Sequence, residues 1–529
     1  METLIGSKNL TKTYQFNFMI DVGFIDHFIR ADPTKLELYV INSGLNDHLA
    51  LERSHELKYR NLKVIRMADR LPKFGSHHTK MMINFFNDET CQIVIHTMNM
   101  TWADYSMQTQ MGWVSPRLVK LENPAVDCSD YKRKNLQLIK DNGIIFKADL
   151  FHYLESYKKK PISEKLISAL AQFDFSPIDV QFIGSSPGDH QFKLDEFKPG
   201  QYQHTTKPQF GYGKLYQLFQ QHSLTTGHTT TTTTTNEPVK LIAQISTIAW
   251  PFDFKSRNIF THILTSIMEG SQPIVKPATY NFTKSKYKTK PIIIYPTTTE
   301  ILSNYQRHLS GHALFYQIEH TKSQATKQHY EMLKTNRVFH HWDNGTRGHG
   351  FPAGRSKLSP HVKTYTATKD DFKSLQWFLL TSANLSKQAW GSNTKNGAMW
   401  KGVHSYGISS FEAGVLINPN TFKLNPEDED EDVAGATGGT GGTVGGAGKR
   451  KRVVLTPVFG RDTFDDDGRR LGTGTGDGTG DGDAGDDNIV KVPVRLPYDV
   501  PLKEYDYEAG DVPWTREDLE KEYRRLGQM

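Results

Sequence analysis

Ser76-His77-His78-Thr79-Lys80-Met81 is one of two stretches that decide how this 529-residue chain is read; Ser359-Pro360-His361-Val362-Lys363-Thr364 is the other. Each sets a lysine two residues after a histidine and then enters an apolar run. The first run leads to His96-Thr97-Met98-Asn99-Met100, the second to Thr381-Ser382-Ala383-Asn384-Leu385-Ser386. From lysine to asparagine the spacing is 19 residues in the first copy and 21 in the second. A three-residue pattern alone arises by chance. A repeat in matched context, each copy with its own trailing asparagine, points to a duplicated structural unit.

In extended chain, residues i and i+2 project to the same face, so His78 and Lys80 point together, as do His361 and Lys363. An asparagine just past a neighbouring strand adds an amide donor to the same spot. One imidazole, one ammonium and one amide form half a shell for a phosphate, and two facing halves close it. Two histidines in that shell divide the labour. One attacks phosphorus and forms a covalent phosphoryl-histidine. The other protonates the leaving oxygen and then serves as base for the water that resolves the intermediate. The lysines and asparagines stabilise charge on the non-bridging oxygens. The scheme calls for no metal or organic cofactor, and the sequence carries no HExxH and no cysteine-based cage. The adjacent pair His340-His341 is expected to be structural, because neighbouring strand residues face opposite ways.

Around these motifs, Lys35–Ser43, Met81–Phe86, Gln92–Thr97 and Val180–Ile183 read as strands, with helical patterning between them, as at Leu166–Phe173. A turn-rich break, Gly184-Ser185-Ser186-Pro187-Gly188, precedes a second series: Val239–Ser246, Pro291–Tyr295, Trp377–Thr381 and Gly414–Ile417. Alternating strands and helices indicate α/β layers, and the length fits two domains rather than one core. The boundary is expected near residue 190. Halves 1–189 and 190–529 then carry one His-x-Lys…Asn set each, and the first is expected to begin almost at Met1.

The formal charge of +6 conceals a polarised distribution. Residues 427–487 hold 15 acidic and 7 basic side chains, a net of −8, which leaves +14 on the rest. A basic body suits a polyanionic partner. The stretch Glu427–Asn488 contains 17 of the 42 glycines and is expected to be a disordered insert, with too little apolar surface to offset chain entropy. The run Thr229–Thr235 reads as a loop expansion. Lys449-Arg450-Lys451-Arg452 fits a nuclear-import signal, and so a nuclear location, or else a solvated charge run among acidic neighbours. Two cysteines, Cys91 and Cys128, exclude a disulfide scaffold and a cysteine-rich zinc site, and fit reduced thiols. No apolar run approaches the ~18–20 residues that span a bilayer, and no signal-peptide pattern opens the chain, so a soluble intracellular protein is expected.

Read together, GSHHTKMM (75–82) with IHTMNMTWADY (95–105), and SPHVKTY (359–365) with WFLLTSANLSKQAWG (377–391), resemble the phospholipase D superfamily and, within it, the tyrosyl-DNA phosphodiesterase I family. FKADLFHYL (146–154), FIGSSPG (182–188) and SSFEAGVLINP (409–419) extend the resemblance over most of the chain. Many phospholipase D motifs carry an aspartate five residues after the lysine; Phe85 and Thr368 stand there instead, as is typical of the tyrosyl-DNA branch.

The resemblance implies two similar α/β/α sandwich domains related by pseudo-twofold symmetry, with the active site between them. It implies His78 as nucleophile and His361 as general acid/base, with Lys80, Lys363, Asn99 and Asn384 around the phosphate. It adds two orienting groups, Glu412 for His78 and Gln110 for His361. The substrate it implies is DNA whose 3′ phosphate is joined to a tyrosine, the debris of a stalled type I topoisomerase, or another 3′ adduct. Single-stranded DNA would then lie in a basic groove with Phe74 stacked on a base. Ser246 and Thr247 would touch phosphates, and Ser382 and Ser386 are further donor candidates. Trp514 would border the peptide side. The segment IAWPF (248–252) departs from the family's glycine-containing turn next to these hydroxyls. Nothing in the sequence demands more than a monomer. Other readings fit less well, the runner-up being another phospholipase D superfamily nuclease or phosphodiesterase. A lipid hydrolase would need the missing aspartates and an apolar docking surface. A DNA-binding protein with a retired site would not keep all six His, Lys and Asn residues.

Overall fold

Five strands build the first half in the computed structural model: β1 (Leu10–Phe16), β2 (Glu37–Asn42), β3 (Asn61–Arg66), β4 (Met81–Phe86) and β5 (Thr90–His96). Their order is β5-β4-β1-β2-β3. The pairs β1/β2 and β2/β3 are parallel, whereas β1/β4 and the hairpin β4/β5 are antiparallel. Short strands Gly112–Val114 and Leu118–Val119 extend the β5 edge. Every residue of β4 is buried: Met81, Ile83 and Phe85 enter a large core and Met82 and Phe86 a smaller one. A central strand covered on both faces reads as a near-continuous apolar run, interrupted here by Asn84, which accepts from Thr13 Oγ1 at 2.6 Å and donates to Leu4 O at 3.0 Å.

The second sheet comprises β6 (Gln181–Ser185), β7 (Lys240–Gln244), β8 (Lys290–Ile294), β9 (Phe339–His340), β10 (Thr364–Thr368), β11 (Trp377–Thr381) and β12 (Glu412–Ile417), in the order β6-β12-β11-β10-β7-β8-β9. From β11 onward it repeats the first sheet strand for strand, with β7/β8 and β8/β9 parallel and β7/β10 and β10/β11 antiparallel. The repeat read in sequence is thus a repeat of topology. Lys80 immediately precedes β4 and Lys363 immediately precedes β10, while Asn99 and Asn384 each follow the end of the next strand by three residues. The large core is shared, taking in Tyr14 and Phe16 of the first sheet and Ile242 and Leu379 of the second.

Helices α1 (Val22–Phe28), α2 (Trp102–Met107), α3 (Asn142–Ser156) and α4 (Gly211–Gln221) accompany the sheets. Asp21 and Asp141 cap α1 and α3 by accepting from backbone N–H groups of the first turn. No helix among the described residues is long and apolar enough to cross a membrane.

The structure describes residues 1–44, 48–122, 141–198, 208–224, 238–249, 259–269, 289–318, 324–343, 345, 353–393, 399–400, 403–422, 452–459, 463–464, 470–471 and 489–527. Cys128, the threonine run, Lys449–Lys451 and most of the acidic insert lie outside them. Two expectations change. Residues 181–185, assigned to the first half by a boundary near 190, form an edge strand of the second sheet, paired with β12. Within the insert expected to be disordered, β13 (Arg452–Val458) pairs in parallel with β14 (Ile489–Arg495). Leu455 is fully buried, and its carbonyl accepts from Leu375 N at 2.9 Å. The run Val453-Val454-Leu455 supplies enough apolar surface to dock, which the glycine-rich average of the insert conceals.

Candidate active site

The first His-x-Lys segment is clasped by the second half. His78 N donates to Phe411 O at 2.9 Å, and Phe411 N donates back to Ser76 O at 2.9 Å. The next residue, Glu412 at the start of β12, places Oε2 2.9 Å from His78 Nδ1. A carboxylate only accepts, so Nδ1 carries the proton and the Nε2 lone pair stays free. Ser382 Oγ donates to the same Oε2 at 2.5 Å and accepts from Ala413 N at 3.1 Å. Lys80 donates to His78 O at 3.2 Å from a buried position. The Phe18 ring stands edge-on to His78, centroids 5.4 Å apart, and 5.7 Å from Lys80 Nζ, forming an apolar wall.

The second segment is clasped by the first half in return. Ser359 and Pro360 pair in parallel with Gln108 and Thr109, and His361 N donates to Thr109 O at 3.1 Å. His361 Nδ1 lies 2.8 Å from Asp104 Oδ2 and 3.2 Å from Gln110 Nε2. The Gln110 amide also lies 3.2 Å from Asp104 Oδ2. Two donors cannot face each other, so the imidazole N–H and the amide both donate to the carboxylate. Asp104 is thus the direct partner of His361, and Gln110 holds Asp104. Asn99 N donates to Asp104 Oδ2 at 2.8 Å, which ties the carboxylate to the first half-shell. Lys363 donates to His361 O, the counterpart of the Lys80 contact.

The asparagines are fixed differently. Asn384 Oδ1 accepts from Ser246 N at 3.1 Å, Ser246 Oγ at 3.2 Å and Thr247 N at 2.9 Å, which leaves its –NH2 for a phosphate oxygen. Asn99 Nδ2 lies 3.4 Å from Asp104 Oδ1, and its buried Oδ1 has no partner.

Burial sets the electrostatics. It lowers the Lys80 ammonium to about 8 and takes Lys363 well below the ordinary lysine range, the latter aided by repulsion from Lys80. Burial and then Lys363 push His361 down to about 3, against Asp104, which pulls it up. His78 is lowered by burial, with Glu412 opposing. Burial raises the carboxyls, but their partners win: His361 chiefly brings Asp104 to about 2, and His78, Ser382 and Lys80 bring Glu412 below the ordinary range. The site therefore pairs two anionic carboxylates with two neutral imidazoles and concentrates cationic groups where an anion would enter. Its groups can bind a phosphate, attack it through nitrogen and protonate an oxygen.

The remaining candidates are distributed unevenly. Phe74 is 79% exposed at φ 65°, a strained angle for an aromatic residue, with Lys73 Nζ 5.2 Å above its ring. Gly75 behind it permits the close pass of the chain, since a Cβ there would meet Ser409 O at 2.1 Å. Ser386 caps the short helix Lys387–Trp390 through Ala389 N. Ser246 is buried against Asn384, while Thr247 is half-buried. Ser382 is fully buried on Glu412, so it is removed from any DNA surface. Trp514 is likewise fully buried, donating to Gly311 O at 3.2 Å, and borders no groove. His340 contacts Val338 O, and His341 bridges Glu300 and Asp511 at 3.4 and 2.8 Å, both away from the two half-shells. Sequence reasoning passed over Phe18 and Asp104. The clue to Asp104 was its place three residues after Thr101, whose hydroxyl accepts from Asp104 N, five residues past Asn99.

Two α/β units of matching topology that bring His, Lys and Asn sets together fit a phosphodiesterase of the phospholipase D type. The family model described as tyrosyl-DNA phosphodiesterase matches residues 1–506, and the chain belongs to that family. It is 26% identical over 468 residues to a probable tyrosyl-DNA phosphodiesterase of Schizosaccharomyces pombe, covering 80% of this chain and 78% of that protein. It is 25% identical over 443 residues to tyrosyl-DNA phosphodiesterase 1 of Saccharomyces cerevisiae, covering 79% and 71%. The crystal structure of the yeast tyrosyl-DNA phosphodiesterase superposes with a TM-score of 0.62 at 20% identity, covering 97% of this chain and 96% of that one, a likeness of fold.

Proposed function

We propose that this protein cleaves the bond between a tyrosine and the 3′ phosphate of DNA, the adduct left by a topoisomerase I peptide, in two displacements. The observation that carries the reading is the pair of imidazoles, each with Nδ1 on a carboxylate of the opposite half. In the first step the His78 Nε2 lone pair bonds to phosphorus, the bond from phosphorus to the tyrosyl oxygen breaks, and that oxygen takes the proton from His361 Nε2. A phenol, with pKa ~10, is a good leaving group. In the second step His361 removes a proton from water, the hydroxide displaces His78, and a 3′ phosphate remains.

The neutral His361 of the empty site becomes an acid when substrate arrives. Burial and then Lys363 lower His361 in the empty site, and a phosphodiester anion beside Lys80 and Lys363 opposes that lowering, so its proton affinity rises as it is needed. Lys80, Lys363 and the Asn384 –NH2 then hold the non-bridging oxygens. Exposed Phe74 offers a face for a terminal base, with Thr247 and Ser386 beside the backbone path. Both half-shells come from one chain, which supports action as a monomer, and the basic run 449–452 supports action in the nucleus.

The test is a 3′-phosphotyrosyl oligonucleotide incubated with pure protein in EDTA. Release of tyrosine with a 3′-phosphate product is expected. No release by folded protein sinks the reading.

A further inference from the structure

The first His-x-Lys segment sits on a buried polar network that the chemistry above does not use. His77 and Thr79 flank His78 and turn to the opposite face. His77 Nδ1 lies 3.1 Å from Asn17 O and its Nε2 lies 3.0 Å from the Tyr157 hydroxyl. A carbonyl only accepts, so Nδ1 carries the proton and Nε2 accepts from Tyr157. The Tyr157 and Thr79 hydroxyls are 3.1 Å apart, Thr79 and Tyr153 2.5 Å, and Tyr153 and Tyr157 3.2 Å. Tyr153 and Tyr157 share one face at the end of α3, four residues apart. All four side chains are fully buried, and burial holds His77 neutral, down to about 3.

The same network grips the strand that carries Glu412. The Phe411 ring stacks 4.4 Å from Tyr157 and lies 5.9 Å from His77 and 6.2 Å from Tyr153, centroid to centroid. Phe411 O is also the acceptor for His78 N. Imidazole and carboxylate are therefore spaced by one rigid, internally satisfied cluster. In the second half Pro360 and Val362 stand where His77 and Thr79 do, and that segment is held by backbone pairing with Gln108 and Thr109, by Gln244 Nε2 donating to Val362 O at 2.9 Å and by Ser359 Oγ donating to Ser310 O.

We propose that His77, Thr79, Tyr153 and Tyr157 form a positioning device for the first chemical half-site, holding His78 against Phe411 and Glu412 so that Nε2 meets phosphorus in line. This rests on the reading of His78 as nucleophile. The network acts on formation and breakdown of the bond between nitrogen and phosphorus, and leaves proton delivery by His361 alone.

The test compares single-turnover rates of Tyr157→Phe, Thr79→Val and Thr79→Ser on a 3′-phosphotyrosyl oligonucleotide and on its 3′-p-nitrophenyl analogue, whose leaving group needs no acid. Tyr157→Phe and Thr79→Val are expected to lose about tenfold or more at saturation on both substrates, as misalignment does, with KM within about twofold. Thr79→Ser, which keeps the hydroxyl, is expected to stay within about threefold of the parent. Variants that melt lower but turn over at the parent rate show a merely structural network and overturn the proposal. So does a loss confined to the tyrosyl substrate. Tyr157→Phe keeps the ring against Phe411; should it not fold, the Thr79→Val and Thr79→Ser pair decides. A parent protein inactive on both substrates would instead overturn the proposed function.

Discussion

The two halves share a topology but brace their active histidines by different means. In the first, a connected cluster of buried side chains backs the backbone bridge to Phe411: His77 and Thr79 lock the segment into the core, and Glu412 with Ser382 orients His78. In the second, Ser359-Pro360 joins a short ladder, single side chains (Gln244 on Val362 O, Ser359 on Ser310 O) add to it, and Asp104 with Gln110 orients His361. A nucleophile must meet phosphorus along one line, whereas a proton donor tolerates more freedom. A duplicated frame is thus finished differently around its two histidines, as the proposed division of roles would require.

The largest effect that tests this division is at the histidines. His78→Ala is expected to lower turnover by on the order of 10⁵-fold or more. His361→Asn or His361→Arg is expected to leave a covalent DNA adduct on the protein, visible on denaturing gels; adduct with the His78 variant instead would reverse the two roles. The carboxylates come next. Glu412→Gln and Asp104→Asn should each lose about 10²- to 10⁴-fold, the scale for an orienting carboxylate. On a p-nitrophenyl ester only Asp104→Asn should recover, and equal recovery of both would erase the distinction between the halves.

A pH profile is subtler. Lowered pKa values mean that the neutral imidazole persists to lower pH, so kcat/KM should hold below the ordinary histidine value of 6.5 before falling. On the alkaline side it should fall through about 8 as Lys80 loses its proton. An acid limb above 6.5 would contradict burial of His78. The smallest effect concerns the insert. Deleting 427–451 should leave kcat within about twofold, whereas deleting 427–488 also removes β13 and Leu455 and should lower Tm by about 2–5 °C in calorimetry.

Much of this was legible in the chain because strand periodicity and a repeated three-residue pattern are local signals. His78, Lys80, Asn99, His361, Lys363 and Asn384 announce themselves by spacing, and the eight strands expected fall within two residues of their bounds, whereas β1, β3, β9 and β10 are not among them. What stayed hidden depends on distance in sequence. Asp104 meets His361 only through the docking of the halves. Ser382 and Trp514 look like surface donors and edges in sequence, yet both are enclosed by chain that folds over them. Leu455 was lost in the composition of its neighbours. Local pattern places a residue on a strand, but only packing states what lies above it.

The crossed bracing also has a consequence in time. His78 and its carboxylate are 334 residues apart, and the ribosome adds roughly 5–20 residues per second. His78 therefore waits roughly 15–70 s for Glu412 to be synthesised. For His361 the order is reversed: Asp104 and Gln110 are made first and wait for it. Neither half supplies both members of a histidine–carboxylate pair, so neither pair forms before much of the second half has been made. A truncated or half-folded chain carries every motif of its half and no working site. Each oriented imidazole thus depends on a chain long enough to supply both halves.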